Sequence, residues 1–184
     1  KVTLLLLLNT GMRPEEMLAI RVGNITSDGN ETIISITSAL DRDGKTIKDY
    51  PKSDAGRRSL PVDDYTADTV RAWIELKSEM MRKMGLKPSM SMLVCGPEMI
   101  PRTYQSWHRD WMRFAAEAGF EGVRPYALRH TFATLNLANG ENIKTVAVLM
   151  GHASSAYTLD LYAAYVPNTG IGIGTRYMNF QRAA

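Results

Sequence analysis

The chain of 184 residues holds one cysteine, Cys95. A single thiol excludes an intrachain disulfide framework and suits a reducing compartment. Three histidines and that cysteine are scattered without ligand spacing, so no metal is expected. No cluster of Asp and Glu points to two-metal chemistry. The longest apolar run, Leu4–Leu8, falls far short of the ~20 residues a membrane span requires, so no membrane partner is expected. The start lacks the basic segment and cleavage site of a signal peptide. There is no Walker-type loop, no GxGxxG and no GxSxG. Charge of one sign is also scarce: 22 Lys+Arg against 19 Asp+Glu leave a net +3. That balance permits a polyanionic partner without demanding one. Any chemistry on phosphate must therefore draw its positive charge from individual side chains.

What is present is ordinary for a folded protein: 45% apolar and 22% charged residues in a length that suits one domain. Val2–Leu8 reads as a buried helix stopped by Asn9-Thr10-Gly11, and Pro14 opens a second helix to about Ile20. Asp28-Gly29-Asn30 and Asp43-Gly44 are turn signals, with strands expected at Thr32–Thr37, Thr46–Lys52 and Arg57–Val62. Tyr65–Met84 is helical, with Val70, Trp73, Ile74, Met80, Met81 and Met84 as its apolar stripe. A short strand is expected at Met92–Cys95. Further helices follow at Thr103–Ala118 (Trp107, Trp111, Phe114) and Tyr126–Asn139 (Leu128, Phe132, Leu135). Another runs from a cap at Asn142 to Met150, and a last one, capped by Ser154 or Ser155, carries Leu159, Tyr162 and Tyr165. The expected class is α+β, mainly helical, with a small antiparallel sheet near the front.

Four stretches carry chemistry. In Thr10-Gly11-Met12-Arg13-Pro14-Glu15-Glu16, a residue before proline leaves the α region, so Arg13 belongs at a helix mouth. An arginine there makes an anion site, with Glu16 to hold it or to cap the helix. Taken alone, the stretch is an ordinary helix start. In Pro51-Lys52-Ser53-Asp54-Ala55-Gly56-Arg57-Arg58, Lys52 can either protonate a leaving oxygen or belong to a solvated basic turn, and Arg57 and Arg58 read as that solvated turn. In Arg124–Thr134, Tyr126 and Arg129 share a face at i, i+3 and can grip a phosphate. His130 is expected to be structural, bonded to backbone. In Leu149-Met150-Gly151-His152, His152 follows a helix end, and Tyr162 comes ten residues later. A tyrosine hydroxyl is a useful nucleophile only beside cations or a base. Tyr157 and Tyr165 compete for that role, and all three have a plain packing alternative.

In this order, the four stretches resemble the catalytic domain of the tyrosine recombinase (phage integrase) family, over about Leu4–Tyr165. Thr10–Ala19 is similar to its first-arginine box, Pro51–Ser53 with Arg57-Arg58 to its β-hairpin lysine segment, and Leu128–Thr134 to its second-arginine box. Leu149–His152 with Tyr162 is similar to its histidine and nucleophile boxes. The resemblance implies a DNA breaking and rejoining fold, catalytic residues Arg13, Lys52, Arg129, His152 and Tyr162, and a supporting Glu16. Tyr162 would attack the scissile phosphate of double-stranded DNA to form a 3′-phosphotyrosine. Arg13 and Arg129 would hold the non-bridging oxygens, Lys52 would protonate the departing 5′ oxygen, and His152 would bond the same phosphate. No metal, nucleotide or other cofactor is implied.

The resemblance further implies site-specific recombination in the cytoplasm of a bacterial or phage-infected cell, with self-association on DNA into a tetrameric synapse. One position departs from the family: Tyr126 stands where histidine is usual, three residues before the second arginine, and is read as a phosphate ligand. Residues 1–166 are taken as the catalytic domain of a longer protein with an N-terminal DNA-binding domain. Residues 167–184 are taken as a tail that docks on a neighbouring protomer. Two alternatives remain open: a type IB topoisomerase-like nicking and closing enzyme, and a non-catalytic helical DNA-binding module built on Tyr126–Met150.

Overall fold

The computed structural model describes residues 1–29, 31–50, 56–96 and 102–163. Its helices are α1 (Val2–Thr10), α2 (Pro14–Ala19), α3 (Asp64–Lys83), α4 (Tyr104–Glu117), α5 (Tyr126–Ala138), α6 (Ile143–Met150) and α7 (Ser155–Tyr162). Its strands are β1 (Ile25–Ser27), β2 (Thr32–Ile36), β3 (Ser38–Leu40), β4 (Ile47–Asp49) and β5 (Arg58–Val62).

Helix α1 buries Leu6 and Leu7 completely and ends on Gly11, whose φ of 62° is left-handed. A side chain at Gly11 has nowhere to go: a Cβ would lie 2.3 Å from Phe132 Cδ1. Strain from the positive φ and from overpacking should make Gly11→Ala destabilising by more than about 2 kcal/mol. Urea denaturation checks this as a lowered midpoint; an unchanged midpoint contradicts it.

The antiparallel strands fall into two ladders. Strands β1, β2 and β5 form one sheet in that order, with Ile34 opposite Leu60 and Ile36 opposite Arg58. Strands β3 and β4 form a hairpin around Asp43-Gly44. Along β2, Thr32, Ile34 and Ile36 point inward on alternate positions, the pattern of a half-covered strand. The segment Met92–Cys95 is buried, but it makes one isolated bridge, Arg21 to Leu93, rather than the expected strand.

Three helical stripes are rotated from expectation. Met80 and Met84 of α3 are 53% and 63% exposed, while Val70 and Met81 are buried. Phe114 of α4 is half exposed beside buried Trp107 and Trp111. In α5, Leu137 goes inside and Leu135 outside. Each of these helices carries more apolar residues than one face accommodates, so tertiary contacts choose among them.

The main core joins α1, α2, β2, β5, α3 and α4. A second cluster packs Phe132, Ala133 and Leu137 of α5 against Val146 and Met150 of α6 and Tyr162 of α7. Caps set the ends of the last helices. Asn142 accepts from the Lys144 N–H, Gly151 closes α6 with φ 68°, and Ser154 accepts from the Ala156 N–H. The start of α2, the first turns of α5, the end of α6 and the start of β5 thus meet around one point.

Candidate active site

Pro14 occupies the first position of α2 and holds Arg13 extended at φ −75° and ψ 148°. The Arg13 N–H donates to Glu16 Oε2 at 2.7 Å, and its Nη1 donates to Oε1 at 2.9 Å. Glu16 therefore caps the helix and holds the arginine at once, the two roles that its position allowed.

Glu16 is fully buried, and a second guanidinium grips it. Arg58 donates through Nη1 at 3.0 Å and Nη2 at 2.7 Å, with its Nε donating to the Leu149 carbonyl at 2.6 Å. Tyr50 adds a hydroxyl hydrogen bond to Glu16 Oε1 at 3.3 Å. Burial pushes the Glu16 carboxyl up, but the hydrogen bonds and charge of Arg58 and the charge of Arg13 outweigh it. The carboxyl ends below its ordinary value and stays ionised.

This corrects the reading of Arg58 as a solvated turn residue: its side chain is only 4% exposed. Arg57, by contrast, is exposed as expected. Arg58 opens β5 two residues before buried Leu60, so both side chains lie on the inward face of the strand.

Arg129, from the first turns of α5, is buried to 4% exposure. Its Nη1 donates to the Gly11 carbonyl, and its Nη2 donates to Met150 O at 2.8 Å. Arg13 Nη2 donates to the next carbonyl, Gly151 O, at 3.1 Å. The two guanidiniums thus hold consecutive carbonyls at the C-terminus of α6, where free carbonyl oxygens favour cations. Among the described residues, Arg129 has no carboxylate partner. Burial first, and then the charge of Arg13, pull its pKa down to about 10, so it remains charged at neutral pH.

His152 lies 2.9 Å from Arg129 through Nε2 and 2.7 Å from Thr158 Oγ1 through Nδ1. A guanidinium only donates, so Nε2 accepts and the ring proton sits on Nδ1, facing Thr158. Burial, then the charges of Arg129 and Arg13, push His152 down to about 4, so the ring is neutral at pH 7. Tyr157 stands edge-on to it, with ring centroids 5.0 Å apart.

Tyr162, the last residue of α7, is 4% exposed within the second core cluster. Its hydroxyl lies 2.5 Å from His130 Nδ1. His130 therefore bonds a side chain on another helix, not backbone as expected. Burial pushes the Tyr162 hydroxyl up in pKa against a smaller downward pull from Arg129. The Tyr126 hydroxyl donates to Glu15 Oε2 at 2.8 Å and is pushed upward by burial and by Glu15. Its hydroxyl is thus held at the rim rather than joined to Arg129. Lys52, Tyr165 and residues 167–184 lie outside the described residues.

Residues 1–168 match the phage integrase family. The chain belongs to that family. Its relatives include the ICEBs1 integrase of Bacillus subtilis, 24% identical over 86% of this chain and 43% of that protein. Tyrosine recombinase XerD of Agrobacterium fabrum is 30% identical over 83% of this chain and 45% of its own length. The chain therefore spans less than half the length of these relatives. The fold matches the Tn1549 transposon integrase, solved in complex with circular intermediate DNA, with a TM-score of 0.67 and 18% identity. That match covers all of this chain and 59% of the other. XerA recombinase gives a TM-score of 0.63 at 20% identity, over all of this chain and 57% of the other.

Within this integrase fold, Arg13, Glu16, Arg129 and His152 are brought together as their sequence boxes implied. Arg58, Tyr50, Thr158, Glu15 and the His130–Tyr162 bond were not anticipated. Only Arg58 left a signal in the sequence, its two-residue spacing from an inward leucine. The others depend on contacts between distant segments. None of the described helices is long and apolar enough to cross a membrane.

Proposed function

We propose that this chain cuts and rejoins double-stranded DNA in site-specific recombination through a 3′-phosphotyrosine intermediate. The observation that carries the reading is Arg129. Among the described residues, it is a buried guanidinium held only by neutral acceptors and set beside Arg13. Among the same described residues, three guanidiniums stand around one carboxylate, which two of them bond, 3 − 1 = +2, before Lys52 is added. Such an excess is costly without an anion and suits a phosphodiester approaching pentavalency.

In the reaction, the Tyr162 oxygen bonds to phosphorus and the bond from phosphorus to the 5′ oxygen breaks. Arg13 and Arg129 hold the non-bridging oxygens. Lys52 gives the 5′ oxygen its proton. His152 turns from accepting an Arg129 hydrogen bond to donating to phosphate, because a bound anion offsets the arginine charges that hold its pKa down. Tyr126, through Glu15, lines the rim of the site. The covalent link conserves the phosphoester, so a 5′-hydroxyl from another strand reverses the step. The working unit is a tetramer of the full protein on DNA, in the cytoplasm of a bacterial or phage-infected cell.

The test uses the full-length protein with a pool of nicked duplexes whose core is randomised. A covalent adduct stable to denaturation should form, enrich one core sequence, and be absent in Tyr162→Phe. An adduct that persists in Tyr162→Phe and disappears in Tyr157→Phe would assign the nucleophile elsewhere. Relaxation of supercoils with no sequence enriched would point to the topoisomerase-like alternative.

A further inference from the structure

We propose that His130 is a catalytic residue of this strand cleavage: its Nδ1 takes the proton that leaves the Tyr162 hydroxyl. The inference rests on the reading of Tyr162 as nucleophile. Among the described residues, the hydroxyl has a single hydrogen-bond partner, His130 Nδ1 at 2.5 Å, with the two rings tilted by 53°. Tyr162 packs in the second core cluster with Phe132, Leu137, Val146 and Met150, whose apolar side chains accept no proton.

The other candidates are engaged elsewhere. His152 has Nε2 occupied by Arg129 and its proton on Nδ1. His108 stacks near Tyr104 on α4, with ring centroids 5.8 Å apart. The Tyr126 hydroxyl is committed to Glu15. His130 is exposed, so a proton it receives can pass to water.

The balance is complete. As Tyr162 Oη bonds to phosphorus, its proton moves to His130 Nδ1, leaving imidazolium. The bond from phosphorus to the 5′ oxygen breaks, and that oxygen takes its proton from Lys52. In rejoining, a 5′-hydroxyl attacks phosphorus and gives its proton back to Lys52, the bond from phosphorus to Tyr162 Oη breaks, and His130 returns its proton to the departing Tyr162. Among the described residues, the charged and titratable groups around the pair are few. Arg129 of α5 and Tyr157 of α7 act on Tyr162. Asp160 of α7 and Lys144 of α6 are exposed, and α1, which also packs on α5, carries no ionisable side chain from Val2 to Thr10.

The test is single-turnover adduct formation by the full-length protein, on the core sequence recovered from the randomised pool, between about pH 5 and 9. The wild-type rate should rise with pH within this range. His130→Ala should lose about 10²–10⁴-fold and that rise, with partial rescue by added imidazole. His130→Asn guards against a folding failure, because its amide oxygen accepts the Tyr162 hydroxyl yet takes no proton at these pH values. It should fold and stay slow. In ¹⁵N NMR, the neutral ring should carry its proton on Nε2.

Cleavage by either variant at or above the wild-type rate, with an unchanged pH profile, would show that the contact only seats the tyrosine. A proton on Nδ1 would overturn the proposal equally. Either result leaves the recombinase reading standing. No adduct from the wild type removes that reading and this one together.

Discussion

Glu16→Ala should unfold the chain's site before it touches chemistry. Glu16 is the one carboxylate that Arg13 and Arg58 share, and both it and the Arg58 side chain are buried. Removing it leaves Arg58 charged and uncompensated next to two further guanidiniums. Breaking a buried pair in this way costs about 3–5 kcal/mol, a large part of the stability of an ordinary domain. Chemical denaturation should show that loss, and a change below about 1 kcal/mol would contradict it.

The same pair sets a pH dependence. The folded-state pKa of Glu16 lies below its ordinary value of 4.5. Its stabilisation is therefore present above that value and lost as the pH falls through the lowered folded one. The acid limb of a stability profile should flatten in Glu16→Gln, in the pH range below about 4.5 where the wild type loses this contribution.

Arg129→Lys should do the opposite: leave a folded protein and stop its chemistry. A lysine keeps the positive charge but loses the planar fork that reaches the Gly11 and Met150 carbonyls while facing His152. A group that stabilises charge developing on a phosphate is worth about 10²–10³-fold in rate. Single-turnover cleavage should fall by that factor or more, while the denaturation midpoint moves less than in Glu16→Ala. Near-normal cleavage by Arg129→Lys would mean that the fork does not hold the phosphate.

These two variants separate what the sequence made legible from what it did not. Arg13, Glu16, Arg129 and His152 sit in local patterns, a Pro-started helix and a Gly-ended one, whose geometry follows from a few neighbouring residues. Each pattern names its own helix end, while their meeting at one phosphate is what the family resemblance implies. Arg58 reaches Glu16 across 42 positions, and His130 reaches Tyr162 across 32. No local rule reports such pairings. The hairpin around Asp43-Gly44 was legible from its turn, whereas the pairing of β5 with β2 depends on which strand faces the core are filled by Ile34, Ile36 and Leu60. Met80 and Met84 were misplaced because α3 carries apolar residues on more than one face, and packing decided between them.

The most direct measurement is the site of the covalent bond. The trapped adduct of the full-length protein should be digested with protease and nuclease and its peptides sequenced by mass spectrometry. The account predicts a nucleotide joined through its 3′ phosphate to the hydroxyl of Tyr162, and no such peptide from Tyr162→Phe. A nucleotide on Tyr157, on Tyr165 or on a residue that is not tyrosine would contradict it.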